Sequence, residues 1–314
     1  MAPLHTVKTP HDNLDCVFVG NSSIDILMLV SALPKSDQRI AATRMAVSGG
    51  GLAGTPAVAL ASLGGRTGLI TAIGRDEMGK MISRGLEEQK FDCLKIYEVA
   101  GKASSTGLVQ VEPDGKRCIT VYGGCIGGLH IEDMDKEPFH NTKYVHIGVP
   151  YPEEKLTLDT LKYVKENTGA LTSVDSGNFS RELCDRILPW SDIFIPDDKT
   201  VRNTLGLEPK EACKYYIEHG AKIACVTLGP RGAVAYDGKS FYEQEAYPVD
   251  VLDTTGAGDN FHGAFLYGLV QGWKLPEILR FACVFSSLTC RGLGGREAIP
   301  TLSEVMDILK SQFQ

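Results

Sequence analysis

A glycine-rich loop near residue 256 runs directly into a helical pattern and carries the residues best suited to chemistry. The loop reads Asp253-Thr254-Thr255-Gly256-Ala257-Gly258-Asp259, and apolar residues follow at positions 261, 264, 265, 266 and 269. That spacing places them on one face of a helix. The loop therefore delivers a helix N-terminus, whose unpaired N–H groups and positive dipole end bind anions such as phosphate. Gly256, Ala257 and Gly258 are the predicted N–H donors, and the glycines allow close approach.

Asp259 lies in the first turn of this helix and has two interpretations. A carboxylate at this place can stabilise the helix N-terminus as a cap. It can also act as a general base, which removes the proton from a substrate hydroxyl as that hydroxyl attacks the terminal phosphoryl group of a nucleotide. A simple cap does not need two glycines in front of it. The pattern therefore favours a base beside a phosphate-binding turn.

Short apolar segments alternate with helical patterns over the second half of the chain, which predicts a parallel sheet with helices on both faces. The predicted strands are 143–149, 171–175, 192–196 and 222–228, and the predicted helices are 153–166, 181–188, 209–219, 276–290 and 302–313. Polar residues end these strands at Asp175, at Asp197 and Asp198, and in the segment 227–232. In such sheets ligands bind at the carboxyl ends of the strands. We expect these residues to share one edge with the loop at 253–259.

Two features of the first half could face the same site. Asp25 interrupts an apolar run, and a buried acid needs a partner, so Asp25 either faces solvent or holds a ligand hydroxyl. Gly49, Gly51 and Gly54 match G-x-G-x-x-G, but they do not follow a first strand as a dinucleotide-binding loop would. A substrate-facing loop is therefore favoured over a dinucleotide site, which would belong to a dehydrogenase.

A small second sheet is predicted from two separate segments. The strands 106–111 and 117–122 flank a turn that contains Asp-Gly, which is typical of a hairpin. The segment 34–47 is polar and extended. Together they would form a sheet too exposed to belong to the core. It could serve as a lid over the site or as a subunit interface.

Composition indicates one globular domain over residues 1–314, with 43% hydrophobic and 23% charged residues. No apolar run reaches the length of a membrane span, and the first residues lack the apolar core of a signal peptide. A net charge of −7 gives no general attraction to nucleic acid or acidic membranes. The nine cysteines include no C-x-x-C pair, which favours free thiols in a cytoplasmic protein without a zinc site.

These motifs, in this order, resemble the ribokinase-like (PfkB) carbohydrate kinase family from residue 17 to residue 308. The resemblance implies an α/β three-layer sandwich, with a mostly parallel central sheet between helices and a small β-sheet lid near 34–47 and 105–123. It implies that Asp259 is the catalytic base and that Gly256, Ala257 and Gly258 form the anion hole. The segment Thr227-x-Gly229-x-x-Gly232 is similar to the ATP-binding loop, and Thr255 is also assigned to nucleotide binding.

The resemblance extends to acceptor and cation residues. Asp25 matches an acid that holds sugar hydroxyls, with the backbone of Gly49, Gly50 and Gly51 beside it. One branch of the family has a basic residue at the position of Arg39, and the chain is similar to that branch in its glycine triplet and in its Gly294-Gly295-Arg296 ending. Asp253 and Thr255, with the loop 291–297, match a region that binds a monovalent cation such as K⁺ in many members.

Two departures from the family pattern limit the substrate assignment. Many members carry Asn-x-x-Glu where this chain has Asp197-Asp198-Lys199-Thr200, so Asp198 is the candidate to organise Mg²⁺. Ribokinases place a sugar-binding Asn where this chain has Gly54. Ribose is therefore disfavoured, and a ketose or furanose-type acceptor is favoured.

The sequence thus predicts an ATP-dependent sugar kinase that uses Mg²⁺ and forms a homodimer through the lid. One alternative is a nucleoside kinase on the same fold, for which the lid segments offer Tyr122 as a stacking residue and little else. The other is a sugar or nucleotide sensor without catalysis, suggested by the missing Asn-x-x-Glu.

Overall fold

The structure is a computed structural model that describes residues 3, 5–8, 13–149, 153–175 and 179–311, with the backbone alone for 5–8. The strands in chain order are β1 (His5–Lys8), β2 (Leu14–Gly20), β3 (Ser23–Val30), β4 (Ala42–Gly50), β5 (Thr67–Gly74), β6 (Cys93–Val99), β7 (Thr106–Val111), β8 (Arg117–Tyr122), β9 (Thr142–Gly148), β10 (Leu171–Asp175), β11 (Ile193–Phe194), β12 (Ile223–Thr227), β13 (Ala233–Tyr236) and β14 (Phe241–Gln244).

Ten α-helices are found in the described part of the chain. They are α1 (Gly54–Ser62), α2 (Glu77–Glu87), α3 (Glu137–His140), α4 (Glu154–Asn167), α5 (Arg181–Ile187), α6 (Asp198–Leu205), α7 (Pro209–Glu218), α8 (Ala257–Val270), α9 (Leu275–Thr289) and α10 (Leu302–Ser311). The predicted end of the last helix at residue 313 lies outside the described residues. Among those residues, no helix combines the length and apolar character needed to cross a bilayer.

The main sheet has the strand order β1-β6-β5-β2-β9-β10-β11-β12-β13-β14. The strands from β6 to β12 pair in parallel, and β1, β13 and β14 add antiparallel edges. Every residue of β2 and of β5 is buried, as expected of parallel strands covered on both faces. Separate apolar clusters occupy the two faces, one around Phe139 and Tyr216 and the other around Phe18, Phe265 and Phe281. The predicted three-layer fold is confirmed.

The lid sheet has the order β4-β3-β7-β8. The hairpin of β7 and β8 has the predicted bounds, and its turn is closed by the Gly115 N–H, which donates to Glu112 O at 2.9 Å. The lid differs from the prediction in two respects. Its β4 begins only at Ala42 and continues to Gly50, while residues 34–41 carry no strand. The apolar run around Asp25 is β3, which lies in the centre of the lid and not in the main sheet.

Strand register divides the lid side chains between two faces. The inner face consists of Asp25, Leu27 and Leu29 of β3, with Arg44, Ala46, Ser48, Gly107, Val109, Val111, Arg117, Ile119 and Val121 opposite them on the other strands. The outer face consists of Ile26, Met28, Met45, Val47, Leu108, Gln110, Cys118, Thr120 and Tyr122. On the inner face Leu27, Val109 and Val111 pack with Leu293, so this face covers the loop that follows α9.

Candidate active site

One buried carboxylate fixes the loop before α8. Asp253 is 1% exposed, and its Oδ1 accepts hydrogen bonds from the Thr255 N–H at 2.9 Å and from the Thr255 hydroxyl at 2.7 Å. Its Oδ2 accepts from the Gly294 N–H at 2.8 Å. Because Gly294 belongs to the loop after α9, Asp253 ties the two loops together. These contacts show that Asp253 and Thr255 hold the loop in place. Their role in binding a monovalent cation stays a prediction.

The start of α8 is closely packed at Gly256 and open at Gly258. Gly256 precedes the helix with a φ of +73°, and a Cβ at this residue would lie 2.6 Å from the Gly295 Cα. Only glycine meets both conditions. The Ala257 N–H donates to Thr254 O at 3.2 Å. A Cβ on Gly258 would meet no atom within 4 Å, so the helix N-terminus faces open space at this residue.

Asp259 stands in the first turn of α8 and is partly exposed. Its carboxylate accepts no hydrogen bond from any residue that the structure describes, which counts against the capping interpretation. Burial raises its pKa well above the ordinary value, and the neighbouring negative charges of Asp175 and Asp25 raise it further, while Arg117 and Arg296 act in the opposite direction. A carboxylate with a raised pKa is a stronger general base than a solvated aspartate.

Asp25 reaches the site from the lid. Its Oδ1 accepts a hydrogen bond from the Ser23 hydroxyl at 3.1 Å, and burial raises its pKa. Side chains on two neighbouring strands would displace this carboxylate: a Cβ on Gly107 would lie 2.6 Å from Oδ1, and a Cβ on Gly50 would overlap Oδ2. Gly51 follows at the end of β4 with a φ of +99°. The predicted acid and glycine triplet are thus brought together.

Arg296 is a site residue to which the sequence assigned no role. Its Nη2 donates to Gly50 O at 2.8 Å, and a Cβ on Gly49 would overlap its guanidinium. This contact spans 246 positions of the chain, so no local pattern could indicate it. Arg117 is the second such residue, because its charge acts on Asp259 from the inner face of the lid.

Arg39 is not brought into this group. It lies exposed in the connection between β3 and β4 and makes no polar contact with the described residues of the site. Arg44, five positions further along the chain, does contact the loop after α9. Its Nη2 donates to Glu297 Oε1 at 2.6 Å. The substrate-binding role of Arg39 stays a prediction.

The predicted nucleotide loop follows β12 on the same edge of the sheet. The Leu228 N–H donates to Gly232 O at 2.7 Å and closes the turn, in which Gly229 has a φ of +58° and Gly232 a φ of +90°. Thr227 forms an isolated bridge to Asp197. This pairing brings the end of β12 beside the Asp197–Asp198 segment.

Asp198, the candidate for Mg²⁺, is already paired with two arginines. Its Oδ1 accepts from Arg202 Nε at 3.0 Å and its Oδ2 from Arg231 Nη2 at 2.6 Å. A divalent cation at this carboxylate would compete with both guanidinium groups for its oxygens. The described residues also contain no group of three or more His, Cys, Asp or Glu side chains arranged to hold a metal ion. The magnesium role of Asp198 stays a prediction, and the donor set around it does not fit that role.

A histidine follows the predicted base on α8. His262 follows Asp259 by one helical turn, and its Nε2 is 3.7 Å from Asp175 Oδ2. Burial lowers the pKa of His262, so the ring is neutral near neutral pH. Its centroid is 5.1 Å from that of the fully buried His146. The predicted strand-end acid Asp175, the last residue of β10, therefore lies against α8.

A cavity of about 350 Å³ lies beside this site and not within it. It runs between β4, α2 and the loop after α9, and it borders Gly49 and Arg296. Neither Asp25 nor Asp259 lines it. The residues predicted to carry the chemistry, Asp25 and Asp259, therefore lie outside this cavity.

Comparison with known proteins agrees with this geometry. Residues 13–302 match the pfkB family carbohydrate kinase. The chain is 26% identical over 305 residues to the bifunctional ribokinase/ribose-5-phosphate isomerase A of Fructilactobacillus sanfranciscensis, with 93% of this chain covered. It spans 56% of that protein's length. It is 25% identical over 323 residues to the 5-dehydro-2-deoxygluconokinase of Clostridium beijerinckii, with 95% of this chain and 94% of the relative covered.

The structure of Arabidopsis thaliana ribokinase complexed with ribose and ATP superposes with a TM-score of 0.81 and 26% identity, covering 99% of both chains. The family match accounts for the helix N-terminus, the acid beside it and the lid in a single fold. This chain belongs to the pfkB family of carbohydrate kinases, phosphotransferases that use an alcohol group as acceptor.

Proposed function

We propose that this protein transfers the γ-phosphoryl group of ATP to a hydroxyl of a monosaccharide or sugar derivative, with Asp259 as the general base. The observation that carries the proposal is the position of the Asp259 carboxylate in the first turn of a helix whose N-terminus is open at Gly258. This carboxylate accepts no hydrogen bond from the described residues, and burial raises its pKa. The base would take the hydroxyl proton, and the N-terminal amides would stabilise the charge on the transferring group. Mg²⁺ would enter with the nucleotide phosphates and help neutralise their charge.

The acceptor would lie between the lid and α8. Asp25 would accept hydrogen bonds from its hydroxyls, and Asp259 would receive the proton of the reacting one. We propose a ketose or furanose-type acceptor in preference to ribose, since Gly54 cannot supply the side chain that ribokinases use there. The nucleotide would bind along Thr227, Gly229, Gly232 and Thr255.

The test is an ADP-release screen over ketoses, aldoses including ribose, sugar acids, sugar phosphates and nucleosides, with and without Mg²⁺ and K⁺. With the best acceptor, Asp259→Asn should lower kcat by about 10²–10⁴-fold because the base is lost. ATP binding, measured by calorimetry, should remain. Asp307→Asn, at an exposed position of α10, is the matched control and should retain full turnover.

Other outcomes of this screen would contradict the proposal. Near wild-type turnover in Asp259→Asn would refute its role as the base. Ligand-induced stabilisation without ADP release under any sugar would indicate a sensor. A nucleoside as the best acceptor would indicate a nucleoside kinase, although Tyr122 lies on the outer face of the lid, opposite to Asp25.

We also propose that two copies associate through the outer face of the lid. Met45, Val47, Leu108 and Tyr122 are exposed there, between 40% and 63%, and adjacent exposed apolar side chains of this kind mark association surfaces. Analytical ultracentrifugation should give a dimer for the wild type and a monomer for Val47→Glu. Ser303→Glu, which adds the same charge at an exposed position of α10, should remain dimeric. A monomeric wild type at micromolar concentration would contradict this proposal.

A further inference from the structure

Unpartnered polar atoms gather around Gly54, at the floor of the active site. Among the buried side-chain atoms of the described residues that have no hydrogen-bond partner are Ser22 Oγ, Thr55 Oγ1, Asn260 Oδ1 and Arg296 Nε. We call Ser22, Gly54, Thr55 and Arg296 the site floor. Three of these orphaned atoms are donors: two hydroxyls and the N–H of a guanidinium. Buried donors without acceptors are rare in native proteins, and a ligand is one reason for them.

The packing places Arg296 and Ser22 beside Gly54, and Thr55 beside Gly295, the residue before Arg296. A Cβ on Gly54 would lie 2.6 Å from Arg296 Nη2 and 2.7 Å from Ser22 Oγ. A Cβ on Gly49 would overlap the same guanidinium. The guanidinium thus occupies the space that side chains at both positions would need. Gly49 of β4 and Gly54 of α1 therefore leave room for the Arg296 side chain.

The site floor is also fixed relative to the base. Gly295 O, next to Arg296, accepts a hydrogen bond from Asn260 Nδ2 at 2.8 Å, and Asn260 follows Asp259 directly in α8. On the other side, the Gly294 N–H is bonded to Asp253. Arg296 therefore keeps its place with respect to the group that would take the acceptor proton.

The charge of Arg296 is not neutralised by direct contact. Within the described part of the chain, no carboxylate lies within the 4.0 Å of an ion pair from this guanidinium; Asp25 and Asp259 act on it only from farther away. Burial lowers its pKa to about 10, which still leaves it protonated at neutral pH. A protonated guanidinium of this kind is stabilised most by an anion that accepts its hydrogen bonds.

We propose that the site floor binds a negatively charged substituent of the acceptor, so that the protein phosphorylates an anionic sugar. The inference rests on the sugar-kinase function proposed above and names the class of its acceptor. A carboxylate or a phosphate ester would supply oxygens to the Arg296 N–H groups and to the hydroxyls of Ser22 and Thr55. A neutral sugar would leave the cation without an anion. Arg296 is then a residue that determines specificity, and Asp259 keeps its role at the reacting hydroxyl.

The test compares acceptors that differ in charge alone as far as possible. ADP release is measured with gluconate against glucitol, with fructose 6-phosphate against fructose, and with further sugar acids and phosphates against their neutral parents. The wild type should prefer the anionic member of the best pair by about 100-fold in kcat/KM, the effect of one or two charge-assisted hydrogen bonds. The carboxylate and phosphate arms identify which anion is bound.

Variants then assign this preference to the site floor. Arg296→Gln should lose most of the preference through a higher KM for the anionic acceptor, with little change for the neutral one. Arg296→Lys should recover part of it, because the charge is kept. Arg44→Gln removes another arginine that contacts the same loop and should leave the preference intact. Circular dichroism and thermal unfolding establish that each variant is folded.

Three results would overturn the inference. A neutral sugar that is the best acceptor of the wild type would do so and would leave the kinase function standing. An equal loss for charged and neutral acceptors in Arg296→Gln would do so as well. If no acceptor is phosphorylated, the proposed kinase function is wrong. The binding of anionic sugars at the site floor is then tested separately, by thermal unfolding in the presence of ADP and each sugar. Stabilisation by an anionic sugar in the wild type but not in Arg296→Gln supports it, and equal stabilisation by charged and neutral sugars refutes it.

Discussion

The two sheets of this protein differ in how far their faces are buried. The main sheet is covered on both faces, and its central strands β2 and β5 are fully buried. The lid sheet has one face over the active site and another that leaves Met45 and Tyr122 more than half exposed. We therefore expect the folding free energy to come mainly from the main sheet and its helices, and the proposed role of the lid is recognition of the acceptor. Substitutions in the first should change stability, and substitutions in the second should change kinetics.

The largest loss of stability should come from the core beneath the loop 253–259. Phe265 of α8 is fully buried against the main sheet, so Phe265→Ala should lower the free energy of unfolding by about 3–5 kcal/mol. Urea unfolding followed by circular dichroism measures it. Val121→Ala, at an exposed position of the lid, should change stability by less than about 0.5 kcal/mol. Similar losses in the two variants would remove the distinction between the sheets.

A lid glycine should show the reverse behaviour. A Cβ on Gly50 would overlap the Asp25 carboxylate, so Gly50→Ala should displace that carboxylate from the acceptor. Misplacing a positioning group by about 1 Å costs on the order of 10²-fold in rate. We expect such a loss in kcat/KM with a melting temperature close to that of the wild type. A variant that unfolds early but retains its turnover would contradict this division of tasks.

The electrostatics of the base give a prediction in pH. The proposed base Asp259 must be ionised to take a proton, so the rate should fall as pH decreases through its raised pKa. Asp175→Asn removes the neighbouring charge that contributes most to this rise, so the acid limb of the kcat/KM profile should move to lower pH, by about one unit. An unchanged acid limb would mean that Asp175 acts only on structure.

Stability should respond to the same raised pKa. The folded state binds the Asp259 proton more tightly than the unfolded chain, whose pKa is near 3.8. The ionised carboxylate therefore costs stability, an effect that is absent below the unfolded pKa and complete above the folded one. Asp259→Asn should raise the melting temperature at pH 8 and leave it nearly unchanged at pH 3.5. A lower melting temperature at pH 8 would show that the carboxylate stabilises the fold.

The smallest change in kinetics should come from the exposed ion pair between the lid and the loop after α9. Arg44 and Glu297 are about half exposed, and pairs of this kind contribute about 0–1 kcal/mol. Arg44→Gln should change kcat/KM by less than about threefold. A tenfold or greater loss would mean that this pair holds the lid over the site.

The sequence predicted those parts of the molecule whose signals are local. The alternation from residue 143 onward indicated the parallel sheet, Asp-Gly indicated the turn between β7 and β8, and the glycine loop indicated the start of α8. β5 and β6 were not assigned, because short buried strands have no amphipathic period to reveal them. The antiparallel pair β13 and β14 was missed as well, since alternation of strands and helices predicts only parallel neighbours.

The sequence indicates candidate site residues where one segment carries them and gives no signal where distant segments meet. Asp259 and Gly256 come from a single loop, and Asp25 was recognised as an acid that a strand could not bury alone. Arg296 and Arg117 reach the same group from the loop after α9 and from β8, and strand register and packing decide their positions. Arg39 was indicated only by its matching position; it lies in an exposed connection, and its substrate-binding role stays a prediction.

The direct contact of Gly256 with Gly295 has a consequence for engineering. The backbones of the catalytic loop and of the loop that bears Arg296 touch without side chains between them, and Asp253 bonds to both. Because no side chain separates the two loops, a change in one would move the other. Redesign of the 293–296 segment would therefore also displace Asp259, the proposed base. Ile119 and Val121 lie on the inner face of the lid, on an exposed strand with no such attachment. New acceptor preferences are best sought there.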